Sequence, residues 1–430
     1  MRWVSGILAL AVAVPAAGQA PAPQHLEVTL TEAIRRALEV QPGMVQAIGA
    51  ERSAGAGRRS AFGAYLPSVS VNASTSKGNT GRTDNNTGLF IPPVRSYSGG
   101  IAANVELFDG FRRLANVRGA SATAAAADAG LVNQRFQVTL GTKQAFYNAL
   151  ATEDLVRVAE SQVRRAQQQL QISVEKLRAG SATRSDSLRS TVDYGNARIA
   201  LLQAQANLAT AQANLGRQIG VDQPVRAVPD SALPGLPDTA ALRASPLDEA
   251  PQVRQADAQA SAARAQVWTA RAQYWPSLTV AYNDNRQGIK QPQGPLFGNL
   301  PDSYSWRFGL SWTLFNGFVR EQQQVTASVA RDNAEAVAAD TRRLINAQLT
   351  QQIAAMTTAY AKIDIARANV AAATEDLRVQ NERYRVGAAT ILDLLTSQAA
   401  LTTAEGNLVQ ARFDYLIARS QVEALVGRTL

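Results

Sequence analysis

Cysteine is absent from all 430 residues, and histidine occurs once, at His25. The first absence excludes a disulfide scaffold, thiolate metal ligation, a cysteine nucleophile and lipid attachment to an N-terminal cysteine. The second leaves no imidazole with which to build a catalytic triad or a histidine metal cluster. No Gly-x-x-x-x-Gly-Lys phosphate loop and no constellation of catalytic side chains occurs, so the sequence argues against an enzyme and implies no cofactor. Past the first residues no apolar run reaches the length of a membrane-spanning helix, so a membrane protein of this sequence has to be built from strands. The 43 Lys and Arg outnumber the 34 Asp and Glu but are scattered without a basic run, which speaks against nucleic acid as a partner.

Proline is missing from Val94 to Gln223 and again from Asp302 to the C-terminus, so nothing there obliges a helix to break. Phe111 to Arg178 spans 68 residues, on the order of 100 Å as one helix. Its distal part carries Val156, Val163, Leu170 and Leu177 every seven residues, and a later stretch repeats this with Ile363, Val370, Leu377 and Tyr384. Returning stretches show the same rhythm in Tyr194, Leu201, Leu208 and Leu215, then in Leu401, Leu408, Tyr415 and Val422. A seam of strict period seven predicts helices that supercoil about one another.

The chain is written twice. Glu175–Asp186 aligns with Glu382–Asp393 at six of twelve positions, and Leu107-Phe-Asp-Gly-Phe111 aligns with Leu314-Phe-Asn-Gly-Phe318 at the same offset of 207. Tyr65-Leu-Pro-Ser68 matches Tyr274-Trp-Pro-Ser277. This divides the chain into an export signal over 1–20, a first unit over 21–220, a proline-rich connector over 221–251 and a second unit over 252–430. Each unit reads as a helix, a strand pair (67–108 and 276–315) and a long helical hairpin with its tip near 180 or 387.

The strands alternate. Val69, Val71 and Ala73 face Ile101, Ala103, Val105 and Leu107 in parity; Leu278, Val280 and Tyr282 do so with Tyr304, Trp306, Phe308, Leu310, Trp312 and Leu314. A period of two gives one greasy face and one wet face. The aromatic residues Tyr304, Trp306, Trp312 and Phe315 suit a membrane–water boundary and outer-membrane lipid. Four lipid-facing strands cannot stand alone, because an open edge leaves backbone groups unpaired in hydrocarbon. Two chains would make a narrow, plugged barrel, whereas three make one with an opening.

On the duplicated unit, the Tyr-x-Pro-Ser lead-in to each hairpin, the Leu-Phe-(Asp/Asn)-Gly-Phe exit and the two Arg-x-Gly-x-x-Thr-x-x-Asp stretches, the sequence resembles the TolC-like outer-membrane efflux family over nearly its whole mature length. The resemblance implies a homotrimeric outer-membrane β-barrel, four strands per chain, continuous with a long periplasmic α-helical barrel. It further implies a passive exit duct in the cell outer membrane, docked through a periplasmic adaptor protein to an inner-membrane transporter. Two alternatives stand beside drug efflux: an outer-membrane channel for type I protein secretion, and a trimeric surface adhesin with a strand anchor and coiled-coil stalk. A soluble periplasmic rod explains the seams but not the strands.

Gly180 and Gly387 lie where one long helix must reverse into the next. With Arg178 and Arg385 they are the candidate adaptor-docking tips. Asp186 and Asp393 follow their glycines by six residues, where an Asp also suits the helix dipole. The resemblance implies an acidic selectivity ring at Asp393 and a latch between Tyr384 and Asp186. Thr396 and Ala389 stand where relatives can carry a second acidic residue and a basic latch residue, so a weaker charge ring and a looser closed state are expected.

Overall fold

The computed structural model describes residues 26–430 apart from 80, 85, 230–232, 245 and 295–296. The expected export signal and His25 lie outside the described residues. In chain order the elements are β1 (Leu26–Val28), α1 (Leu30–Val40), α2 (Pro42–Gly63), β2 (Ser68–Lys77), β3 (Arg82–Thr83), β4 (Phe90–Ile91), β5 (Arg95–Phe108), α3 (Arg112–Arg178) and α4 (Arg184–Ile219). Then follow β6 (Val225–Ala227), α5 (Thr239–Arg243), α6 (Pro251–Arg271), β7 (Ser277–Gly288), β8 (Asp302–Ser311), α7 (Val319–Arg385) and α8 (Ile391–Val426). Helices α3 and α7 each run 67 residues unbroken.

One antiparallel sheet takes the order β2-β5-β7-β8. Its register gathers the apolar parity of every strand on one side: Val71 opposes Ile101, Val69 opposes Ala103, Val105 opposes Val280, and Tyr282 opposes both Ala103 and Trp306. The opposite face is lined by Ser70, Ser74, Ser98, Asn104, Thr279 and Ser305. Leu107 departs from the expected alternation. The register shifts between Glu106 and Phe108, so that Phe108, not Leu107, comes to oppose Leu278; a bulge of this kind inserts one unpaired residue and resets parity. Strand β8 also stops at Ser311, leaving Trp312, Leu314 and Phe315 exposed beyond it.

The repeated motifs meet where sheet turns into helix. Gly110 and Phe111 are both left-handed (φ 66° each), as are Gly317 and Phe318 (φ 68° and 64°). A Cβ on Gly110 would lie 2.5 Å from that of Trp275, so glycine is required there. Asp109 caps the new helix by accepting from the Arg113 backbone N–H and from its Nε, at 2.8 and 3.1 Å. The same guanidinium lies 4.8 Å from the ring centroid of Tyr65, and Arg320 repeats the contact on Tyr274 at 4.5 Å. The lead-in tyrosine and the exit turn are thus two halves of one joint, clasped by an arginine.

Below the sheet the helices form a wall one layer thick. Packing orders its lower part α4-α3-α8-α7, while α2 and α6 flank α3 in the upper part and α6 reaches α7. The seven-residue seams are present, and each has a second line between the large residues: Ala159, Ala166 and Ser173 on α3, then Ser190, Ala197 and Ala211 on α4, all buried. Small residues let the paired helices approach closely. At mid-height the connector, expected to be irregular, contributes β6, which pairs in parallel with β1. Val225 and Ala227 seal a core of Phe146, Leu215 and Ile219, and the Tyr415 hydroxyl donates to the Gly235 carbonyl at 2.7 Å. Lys143 on α3 and Glu423 on α8 form a largely buried ion pair across the same belt.

Phe146 is 1% exposed in this belt. Phe146→Ala is expected to cost about 3–5 kcal/mol, measured by denaturant titration of helical circular dichroism in detergent; a loss below about 1 kcal/mol would contradict the packing described.

Candidate functional site

The distal ends of α3/α4 and α7/α8 carry the candidate gate and docking residues. Each reversal is built the same way. Gly180 and Gly387 adopt φ 73° and 80°. Ser181 and Ala388 donate their N–H to the carbonyls of Lys176 and Arg383, both at 2.8 Å. Gly180 and Gly387 bond to Leu177 and Tyr384 at 3.0 and 3.3 Å, which completes a Schellman closure at each tip. The returning helices then start on reciprocal caps. Thr183 Oγ1 accepts from the Asp186 N–H at 3.2 Å while the Asp186 carboxylate accepts from the Thr183 N–H at 3.0 Å. Thr390 and Asp393 repeat this at 3.2 and 2.9 Å. The Thr-x-x-Asp spacing that signals such a box is visible in both stretches, and Thr183 and Thr390 are functional neighbours that a search for charge alone passes over.

Capping has an electrostatic consequence. The Thr390 backbone N–H, then its hydroxyl, bond the Asp393 carboxylate and hold it below the usual carboxylate range, with a further contribution from Arg383. A depressed value means that the ionised, capping form adds stability at pH above the ordinary Asp value of about 4, and that this is lost as pH falls through the lower folded-state value. Asp393 is exposed and Asp186 half-buried.

Tyr384 sits differently. It is buried among Leu377, Ile391, Leu394 and Leu401 in the α7/α8 hairpin, and its hydroxyl has no hydrogen-bond partner. Within one chain it does not meet Asp186, whose Oδ2 also accepts the Thr183 hydroxyl at 2.8 Å. The group that does reach Tyr384 from the first hairpin is Lys176. Its Nζ lies 3.9 Å from the Tyr384 ring centroid and donates to the Tyr384 carbonyl at 2.5 Å. Lys176 therefore closes its own tip with its carbonyl and holds the other tip's turn with its ammonium. The seven-residue seam gave no sign of it, because the contact spans 208 positions. Arg178, Gly180, Arg385 and Gly387 are all exposed at the extreme end, and a Cβ added to either glycine would meet nothing within 4 Å. Arg385 is paired with Glu382 at 3.0 Å.

At the other end of the molecule Tyr304, Trp306, Trp312 and Phe315 are 60–71% exposed. Trp306 packs on Tyr282 with centroids 4.9 Å apart, and Trp312 Nε1 donates to the Tyr274 carbonyl at 3.2 Å. Among the described residues no group of three or more His, Asp or Glu is placed to hold a metal ion, and no helix is long and apolar enough to cross a membrane.

Comparison with known proteins places these features in context. The outer membrane efflux protein family matches residues 33–221 and 242–428, one block on each internal copy. Protein CyaE of Bordetella pertussis is 28% identical over 395 residues, covering 88% of this chain and 80% of its own length. The outer membrane efflux protein BepC of Brucella suis is 24% identical over 373 residues, covering 85% and 78%. Among solved structures, the outer membrane protein VceC of Vibrio cholerae superposes with a TM-score of 0.79 at 18% identity, covering 93% of this chain and 96% of that one.

If Lys176 ties the two tips, Lys176→Met will broaden the distance between spin labels placed at Arg178 and Arg385, a measurement made simple by the absence of native cysteine. An unchanged distance distribution would remove Lys176 from that role.

Proposed function

The chain belongs to the outer membrane efflux protein family and is an outer-membrane export channel with a periplasmic extension, and from that premise we propose that three copies assemble into a passive exit duct for small molecules. The observation that carries this reading is the pair of free margins on one wall. Among the described residues strands β2 and β8 each have only one neighbour, and below them α4 and α7 are the outermost helices of the lower wall. In hydrocarbon the strand edges need partners at several kcal/mol per group. Joining the β8 margin of one copy to the β2 margin of the next satisfies them head to tail. Three four-stranded sheets then make a barrel of twelve strands with its serine- and asparagine-lined face inward, wide enough for an aqueous lumen.

The energy for transport comes from elsewhere, since the sequence offers no nucleotide site and no catalytic set. We assign that task to an inner-membrane transporter reached through a periplasmic adaptor, and the exposed tips at Arg178, Gly180, Arg385 and Gly387 to docking it. Their position at the far end of the hairpins, their unpacked glycines and the exposed Val386 between Arg385 and Gly387 support that role. Asp393 is assigned to cation selectivity: three symmetry copies around a narrow axis make a ring of like charge that retains cations. Tyr384 and Asp186 are assigned to a latch between hairpins. A buried hydroxyl without a partner costs about 1–3 kcal/mol, and a carboxylate brought to it on assembly relieves that cost.

Deleting the gene and measuring susceptibility to a panel of antibiotics, detergents and metals tests the small-molecule reading. Increased susceptibility is expected; unchanged susceptibility with loss of secreted proteins gives the protein-secretion reading instead. In planar bilayers Asp393→Ala is expected to reduce cation preference. In the wild type that preference persists as pH falls to about 4 and disappears only below, because the carboxylate is held ionised. Selectivity unaltered by the substitution removes Asp393 from the ring. Tyr384→Phe is expected to raise resting conductance, and an unchanged baseline shows that its hydroxyl stays unpartnered in the assembly.

A further inference from the structure

Directly under the lipid-facing strands, the first turns of α3 and the last turn of α6 leave a cleft of about 390 Å³. Phe111, Leu114, Arg118, Trp268, Arg271 and Trp275 line it. The cleft continues the greasy face of the sheet. Phe108, which opposes Leu278 on that face, packs edge-on against Phe111 at 5.5 Å, and Phe111 packs edge-on against Trp275 at 6.3 Å. Phe111, Trp268 and Trp275 nevertheless remain 57–60% exposed, an apolar surface of the sort that marks a binding site.

The charges at this level are unequal in their bonding. Arg112 is bound by Glu106 at 2.8 Å, Arg113 by Asp109 at 3.1 Å, and Arg320 by the carbonyls of Thr313 and Leu314 at 2.8 Å each. Arg118 and Arg271 have no carboxylate partner among the described residues, and Arg271 lies 5.4 Å from the Trp268 ring. The joint itself does not require these two guanidiniums. In the second copy the residue equivalent to Arg118 is Val325, and the residue of the first copy equivalent to Arg271 is Phe62. Two unpaired arginines beside exposed aromatic rings, at the depth where acyl chains end and headgroups begin, fit a ligand with an apolar body and a phosphate.

We propose that this cleft seats one phospholipid of the periplasmic leaflet per chain, its phosphate between Arg118 and Arg271 and its first methylenes over Phe111, Leu114 and Trp275. The inference rests on the outer-membrane placement and not on the trimer, the gate or the cargo. Such a lipid fills the notch between barrel and helical wall and fixes the depth at which the channel sits.

Native mass spectrometry of the detergent-purified full chain, titrated with phosphatidylglycerol, phosphatidylethanolamine and diacylglycerol of the same chain length, tests it. Both phospholipids are expected to bind once per chain and about tenfold tighter than diacylglycerol, the factor that one charge-assisted hydrogen bond supplies. The double variant Arg118→Gln/Arg271→Gln is expected to lose this preference, and Arg112→Gln to keep it. A wild type that takes diacylglycerol equally well, a double variant that keeps the preference, or inorganic phosphate that binds as tightly without any acyl chain would each overturn the site. A second readout needs no change to the arginines: in Trp306→Phe/Trp312→Phe protein, acyl-brominated phosphatidylglycerol should quench Trp268 and Trp275, and absent quenching overturns the proposal. Protein that extracts into water without detergent would instead defeat the membrane placement itself.

Discussion

Strands β2 and β8 each present a row of backbone N–H and C=O groups that no strand among the described residues of the chain meets, and a lipid environment offers no water to satisfy them. Nearly every other feature of the molecule follows from that constraint. Because the sheet has only four strands and an outer parity that is apolar from Val69 to Ala73, Ile101 to Val105, Leu278 to Tyr282 and Tyr304 to Leu310, it can neither close on itself nor turn its greasy face to solvent. Copies must therefore share edges, and a wall that curves to meet its neighbours leaves its polar face around a hole.

The helices continue the same wall by other means. Their seams alternate large residues with Ala and Ser, as in Leu201 and Ala197 or Leu401 and Ala404, and this keeps neighbouring helices close while leaving one layer between lumen and exterior. At mid-height the β1–β6 pair and the connector pack against the layer, with Tyr415 and the Lys143–Glu423 pair anchoring the belt. At the tips, each turn is closed by its own cap, and Lys176 of the first hairpin is held on the ring and carbonyl of Tyr384 of the second.

Much of this was legible in the residues because its causes are local and periodic. Alternation over Tyr304–Leu310 forces one face, and repetition at an offset of 207 exposes the duplicated unit. What escaped had causes that pattern does not carry. Leu107 fits the alternation as a letter but falls at a bulge. Val225–Ala227 pairs with a strand about two hundred residues earlier in the chain, so its composition reads as connector. Ala159 and Ser190 line the seams without hydropathic contrast. Lys176 and Arg113 act through rings contributed by remote segments. At the tips Arg178, Asp186, Arg385 and Asp393 stand out by charge, whereas Thr183 and Thr390, which orient the two aspartates, carry none and show only through the Thr-x-x-Asp spacing.

The central claim is that the free margin of one chain is closed by the opposite margin of another. Single cysteines placed along β2, as at Ser70, and along β8, as at Arg307, in this cysteine-free chain probe it directly when oxidised in the native outer membrane. Covalent dimers and closed trimers from matched pairs are the expected result; cross-links confined to one chain, or none at any register, would contradict the account.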